Sequence, residues 1–265
     1  VSSQLLVFVC RSGRAYLSRT SFIPFASDEV KGGEISRLLH FKSEEEVIAC
    51  FEMPKESSER FLFVATRQGL VKKVNFSELQ RIKEGGQMVI GLREDDALAG
   101  AEMTDGATEL LLATRQGKSI RFSEEDVRDM GAAAGGIKGI ELEADDRVVS
   151  LVALVRDKAA VLSITHAGFG KRSEASEYGT IKRGGKGIVN YKCSEKSGWI
   201  AAVTEAGAMD QFIVVTKKGK LKRIKAKEIK LSGRATQGAA VVNIVKGDEI
   251  VSIFPSPDPQ GKKRS

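Results

Sequence analysis

A unit of about fifty residues recurs five times along this chain, and few architectures can accommodate such a pattern. The tetrads Cys10-Arg-Ser-Gly13, Thr66-Arg-Gln-Gly69, Thr114-Arg-Gln-Gly117, Thr165-His-Ala-Gly168 and Thr216-Lys-Lys-Gly219 line up, with their glycines 56, 48, 51 and 51 residues apart. Each is preceded by an apolar run (5–9, 61–65, 110–113, 159–164, 212–215) and followed by a second stretch such as 70–76 or 221–224. Two such runs around a glycine turn predict a β-hairpin. A glycine-rich landmark follows 16–19 residues on, as Lys31-Gly32-Gly33, Glu84-Gly85-Gly86, Gly135-Gly136, Gly184-Gly185-Lys186-Gly187 and Thr236-Gln237-Gly238. An acidic or polar turn then leads into another apolar strand, at Glu46, Asp96, Asp146, Gly198 and Asp248.

Each unit therefore predicts about four strands and a short, weakly helical piece, seen at 76–82, 123–130 and 226–231. A four-stranded unit of this size cannot close its own core. Radial stacking covers the sheet faces and leaves short, protected edges. We therefore expect an all-β, propeller-like ring of four-stranded blades, with repeats at about 5–53, 61–104, 109–155, 159–205 and 211–254. Residues 1–255 would form one domain, and 256–265 a basic flexible tail. WD40 and kelch units have similar periods, but their Gly-His and Trp-Asp marks are missing and there is one Trp.

Composition narrows the function classes. Only His40 and His166 are available, there is no Cys-x-x-Cys pair, and no Walker-type phosphate loop is present. We expect no metal, no cofactor and no catalytic residue. Runs such as Glu44-Glu45-Glu46 and Asp145-Asp146 read as solvated turns. Cys10, Cys50 and Cys193 are scattered and odd in number, which fits a reducing cytoplasm. No apolar run approaches the roughly 20 residues of a spanning helix, so no membrane partner is expected. The start at Val1 carries no signal peptide or initiator Met and reads as a piece of a longer chain.

The net charge is +7, and the cations are patterned. Just beyond the repeated glycine stand Lys72-Lys73, Lys171-Arg172 and Lys222-Arg223, with Lys220 beside the last pair; repeat three keeps Lys118 and Arg121. Strand-end cations commonly only protect an edge. Recurrence at one structural place in four repeats instead predicts a positive band, which suits a curved polyanion. Adjacent strand residues point to opposite faces, so at most one of each pair should pack inward. The segment Ile181-Lys182-Arg183-Gly184-Gly185-Lys186-Gly187 adds three cations around small residues, which lets a phosphate approach backbone N–H groups. The landmark glycines Gly33, Gly86, Gly136 and Gly185 are expected to supply positive φ. Aromatics make up 6% of the chain and offer no stacking platform, so a duplex is favoured over single strands.

Four segments carry a family resemblance: 62–73 (LFVATRQGLVKK), 127–140 (VRDMGAAAGGIKGI), 166–178 (HAGFGKRSEASEY) and 233–241 (GRATQGAAV). Together they resemble the C-terminal domain of the DNA gyrase A subunit and, less closely, that of topoisomerase IV. The resemblance implies a β-pinwheel, in which strands are exchanged between blades. It also implies non-specific wrapping of double-stranded DNA around a basic rim, which presents the duplex to the core for negative supercoiling. The rest of the gyrase A subunit and the gyrase B subunit would be its partners, in a bacterial cytoplasm. Catalysis would belong to those other parts; Tyr16, for one, sits in a hairpin strand.

Two departures stand out. The family usually has six blades, the first carrying Gln-Arg-Arg-Gly-Gly-Lys-Gly. Here five repeats are counted, and the closest match, Ile181 to Gly187, lies in the fourth. Repeat one resembles the family's second blade, so the box-bearing blade is expected upstream. The alternatives are a topoisomerase IV type of domain that bends without strong wrapping, and a propeller that binds a protein.

Overall fold

In every repeat the glycine turn joins two antiparallel strands. The computed structural model describes residues 4–23, 35–39, 41, 45–54, 59–83, 85–131, 134–156 and 158–256. Repeat one supplies β1 (Leu5–Cys10), β2 (Arg14–Arg19), a short α1 (Ile35–Leu39) and β3 (Val47–Glu52). Repeat two gives β4 (Phe61–Thr66), β5 (Leu70–Asn75), α2 (Phe76–Leu79), β6 (Gln87–Met88) and β7 (Leu98–Thr104). Repeat three gives β8 (Glu109–Thr114), β9 (Lys118–Ser123), β10 (Ile137–Lys138) and β11 (Val148–Leu154). Repeat four follows with β12 (Ala160–Thr165), β13 (Phe169–Glu174), β14 (Ile188–Val189) and β15 (Ile200–Ala206). Repeat five closes with β16 (Gln211–Thr216), β17 (Leu221–Lys225), β18 (Ala239–Ala240) and β19 (Ile250–Pro255).

These strands build five antiparallel sheets, ordered β3-β1-β2-β6, β7-β4-β5-β10, β11-β8-β9-β14, β15-β12-β13-β18 and β19-β16-β17. Three strands of each sheet come from one repeat. The fourth, a two-residue edge strand, is donated by the next repeat, as Ile188 opposite Ser119 and Ala239 opposite Gly170 illustrate. The strand exchange implied by the family resemblance is thus present. The fifth sheet departs from the expected four strands: among the described residues it has three.

The Thr-x-x-Gly signature has a local cause. Thr66, Thr114, Thr165 and Thr216 each accept on Oγ1 the N–H of the residue after the glycine, at 3.1–3.2 Å. The acidic landmark caps the same turn: Asp96, Asp146 and Asp248 accept from Gln68, Gln116 and Lys218 N–H at 3.1, 2.9 and 3.1 Å. Asp95 and Asp145 take the left-handed conformation, both at φ 60°. These acids are turn residues, as their pattern predicts. The weakly helical pieces are α2 and the 3-10 turns Glu124–Asp126, Ala175–Glu177 and Ala226–Glu228.

The chain divides into two compact units, one of Val1–Thr108 with Glu124–Gly139, the other of Glu109–Ser123 with Ile140–Ser265. In the first, Val7, Val9 and Ala15 of one sheet pack on Leu62, Val64 and Val74 of the next. In the second, Leu111, Ala113 and Val152 cluster with Val161, Tyr178, Tyr191 and Val203. There a buried polar chain crosses the core: Tyr178 Oη donates to Asn190 Oδ1 at 2.6 Å, and Asn190 Nδ2 donates to Ser163 Oγ at 3.1 Å. Tyr178→Phe leaves that acceptor one donor short, and we expect a loss of about 1–2 kcal/mol in urea unfolding.

Candidate nucleic-acid interface

The recurrent cations stand three and four residues after the hairpin glycine, and the structure places them in two kinds of surroundings. Lys72 and Lys171 have no exposed surface, and Lys73 is 8% exposed. Lys72 Nζ donates to the carbonyls of Val89, Gly131 and Ala134 at 2.8, 2.8 and 2.9 Å, which uses all three ammonium hydrogens. Lys171 Nζ donates to the carbonyls of Gly233 and Arg234 and lies 5.6 Å from the Tyr191 ring centre. Burial pushes both ammonium groups down to about 8, with Glu78 and Glu177 respectively pulling them back up. Both therefore stay protonated at neutral pH. Lys73 Nζ reaches Glu124 O at 3.4 Å and sits 4.8 Å from the Phe61 ring centre.

This corrects the reading of Lys72, Lys73 and Lys171 as phosphate contacts. Both members of the Lys72-Lys73 pair are buried, Lys72 under the carbonyls of Val89, Gly131 and Ala134 and Lys73 against Phe61 and Glu124. Arg121 and Arg172 are half-buried and committed in the same way. Arg121 donates to the carbonyls of Ala175 and Tyr178 at 3.0 and 3.2 Å and pairs with Glu109; Arg172 Nε donates to Ile229 O at 3.0 Å. Apart from Val89, which shares the repeat of Lys72, the carbonyl acceptors belong to the following repeat. The recurrence of cations thus has a structural cause: each pair secures the turn and glycine-rich loop of the repeat after it. Lys222 and Arg223, which no described repeat follows, are exposed.

What stays outside forms two groups in the second unit. In the box-like loop Lys182 and Lys186 are exposed and Arg183 is half-buried. The backbone there turns at Gly184 (φ 84°) and Gly187 (φ 67°); a Cβ on Gly187 would lie 2.4 Å from Ser119 O. Gly86 also has positive φ (74°), whereas Gly136 and Gly185, expected to share it, do not, and Gly33 lies outside the described residues. Lys118 stands beside this loop, half-buried and opposite Val189 in the edge pairing.

The second group is the last hairpin. Lys217, Lys218, Lys220, Lys222, Arg223, Lys225, Lys227 and Lys230 are all exposed. Five of these eight lie off the register that the repeat picks out, and so were not among the expected contacts. Their density along 217–230, against the single acid Glu228, was the signal that could have found them. Two have partners, Lys217 with Glu249 at 3.0 Å and Lys225 with Glu228 at 3.6 Å. Among the described residues no group of His, Cys, Asp or Glu could hold a metal ion, and no helix is long and apolar enough to cross a membrane.

Comparison with known proteins adds the following. The family model for the DNA gyrase C-terminal domain, a beta-propeller, matches residues 60–105, 108–154, 160–204 and 210–257. The DNA gyrase A subunit of Salmonella typhimurium is 34% identical over 249 residues, covering 94% of this chain and 28% of that protein. The corresponding protein of Mycolicibacterium smegmatis is 33% identical over 255 residues, covering 96% and 30%. The chain thus spans about three-tenths of the length of these curated relatives. Among solved structures, the C-terminal domain of DNA topoisomerase IV superposes with TM-score 0.86 at 23% identity, covering 96% of this chain and 79% of that one. A DNA gyrase A C-terminal domain gives 0.82 at 23% identity, with 96% and 83% covered.

Proposed function

Because the chain belongs to the family of the DNA gyrase C-terminal domain, we propose that it binds duplex DNA without sequence preference and wraps it along its exposed cations. The observation that carries this reading is the split among the cations. Lys72, Lys73, Arg121, Lys171 and Arg172, which recur by register, are spent on carbonyls, while Lys182, Lys186 and the 217–230 hairpin stay in solvent without a structural task that demands so much charge. Exposed cations meet phosphates directly and displace their counterions. Bending 20–30 bp by 40–90° costs about 1–6 kcal/mol, so contacts spread over several loops suit a bent duplex better than one patch.

In this reading residues 1–255 act as one non-catalytic domain that presents DNA to the rest of the gyrase A subunit and to the gyrase B subunit for negative supercoiling. Of the basic tail only Ser256 lies among the described residues. A cytoplasmic setting is supported by Cys10, Cys50 and Cys193, all free thiols. The test is a salt series of duplex binding with the combined Lys182→Glu, Arg183→Glu and Lys186→Glu variant. Loss of three phosphate contacts should flatten the slope of log K against log salt by about 2.7. An unchanged slope would remove the box-like loop from the interface.

A further inference from the structure

Two equivalent loops reach positive charge by opposite routes. Residues 182–187 and 233–238 hold the same place in successive repeats, each leading into an edge strand, β14 or β18. The first carries Lys182, Arg183 and Lys186 on its own side chains. The second has Arg234 alone, whose Nη1 is turned back to donate to Val189 O at 2.7 Å. Beneath the first loop lies Ile120, with its Cδ1 3.9 Å from where a Cβ on Gly185 would stand. Beneath the second lies the buried ammonium of Lys171, held by the carbonyls of Gly233 and Arg234.

A loop whose carbonyls converge on a buried cation turns its peptide N–H groups the other way, the arrangement of an anion-binding nest. One further contact draws a carbonyl of this loop inward, Thr236 O accepting from Lys192 N at 3.1 Å, while Thr236 Oγ1 closes the loop on Gly233 O at 2.7 Å. Ala235, Thr236 and Gln237 are exposed; Thr236 N–H faces Gly233 O across the turn, and among the described residues the N–H groups of Ala235 and Gln237 make no hydrogen bond. Glu177 Oε2 accepts from Arg234 N at 2.9 Å, so that amide is occupied and those of Ala235 and Gln237 are the open ones. The seat recurs in the other unit, where Lys72 holds the carbonyls of Gly131 and Ala134.

We infer that Lys171 is a positioning residue for nucleic-acid binding: from beneath the 233–238 loop it holds the N–H group of Ala235 outward and lends charge to it and to the neighbouring Gln237 N–H, with which they take a phosphodiester oxygen. The inference rests on the duplex-binding reading above. It assigns to a side chain without exposed surface an effect on DNA affinity that a purely structural lysine lacks.

The test compares Lys171→Met with the unaltered 265-residue chain, by fluorescence anisotropy on a linear duplex across a salt series, below the melting temperature of both. The expected result is several-fold weaker binding and a log–log salt slope shallower by about 0.9, the loss of one phosphate contact. A lower melting temperature with unchanged affinity and slope would mean that Lys171 only braces the loop, and would overturn the inference. Should Lys171→Met fail to fold, amide shifts of the unaltered chain decide. Saturable shifts of Ala235 and Gln237 on adding duplex support the site, and unmoved amides in a chain that binds duplex overturn it. A parallel titration with inorganic phosphate separates the sources: shifts with phosphate but none with duplex would mark a small-anion site and overturn the inference. No duplex binding of any kind would overturn the functional reading as well, a result distinct from the others.

Discussion

Gly168→Ala is expected to cost about 4 kcal/mol or more, enough to count among the severe single substitutions of a core. Gly168 has φ +87°, and a Cβ there would stand 2.0 Å from Val242 O and 3.0 Å from Ile244 Cγ1. The close approach is built in, because Val241 and Val242 both donate their N–H groups to Gly168 O, at 2.9 and 3.0 Å. The left-handed conformation alone would cost a non-glycine residue about 1–2 kcal/mol. The remainder is the displacement of the next repeat's strand from the turn. Gly219 provides the control: it has φ +75°, yet nothing lies within 4 Å of its Cβ position, since no described repeat packs on its turn. Gly219→Ala should therefore lose only about 1–2 kcal/mol. Urea midpoints of the two variants test this. Equal losses would show that backbone conformation alone, and not the following repeat, dictates the glycine.

Lys72→Met should destabilise by about 3 kcal/mol, because three carbonyls, that of Val89 buried, lose charge-assisted donors while the cost of burying the ammonium is relieved. Lys222→Met, at the equivalent position of the last repeat, is exposed and should change stability by no more than about 0.5 kcal/mol. Thermal unfolding of both variants separates the two roles of one sequence position. A Lys72→Met protein as stable as the parent would return this lysine to the surface and reopen its reading as a phosphate contact.

The repeat and its hairpins were legible because their causes are local. A positive-φ glycine, a threonine that accepts one turn N–H and an aspartate that accepts another are demanded within a few dozen residues of each other, so they recur visibly. The edge strands were not legible from the pattern. Gln87–Met88 and Ala239–Ala240 are two residues long, too short for a period to register, and they pair with a hairpin of the preceding repeat. Strand exchange therefore entered through the family resemblance.

The cations were visible, but their acceptors were not. Lys72 is bonded to carbonyls 59 and 62 residues downstream, and Lys171 to ones 62 and 63 downstream. Recurrence was read as a band facing a polyanion, when the same recurrence follows from each repeat gripping the next. Exposure at Lys222 and Arg223 then marks the place where the grip has no described object. The box-like loop was found by its own composition, and the lysine density of 217–230 needed only a count of charge without regard to register.

The central claim is tested most directly by topology. The domain is bound to nicked circular DNA, the nick is ligated, the protein is removed, and the linking number is read on a gel. The predicted result is a shift in linking number that grows with the ratio of protein to DNA and fades as salt is raised, the mark of chiral wrapping by exposed cations. Tight binding with no shift would contradict wrapping and leave simple bending, while absence of binding would contradict the nucleic-acid interface itself.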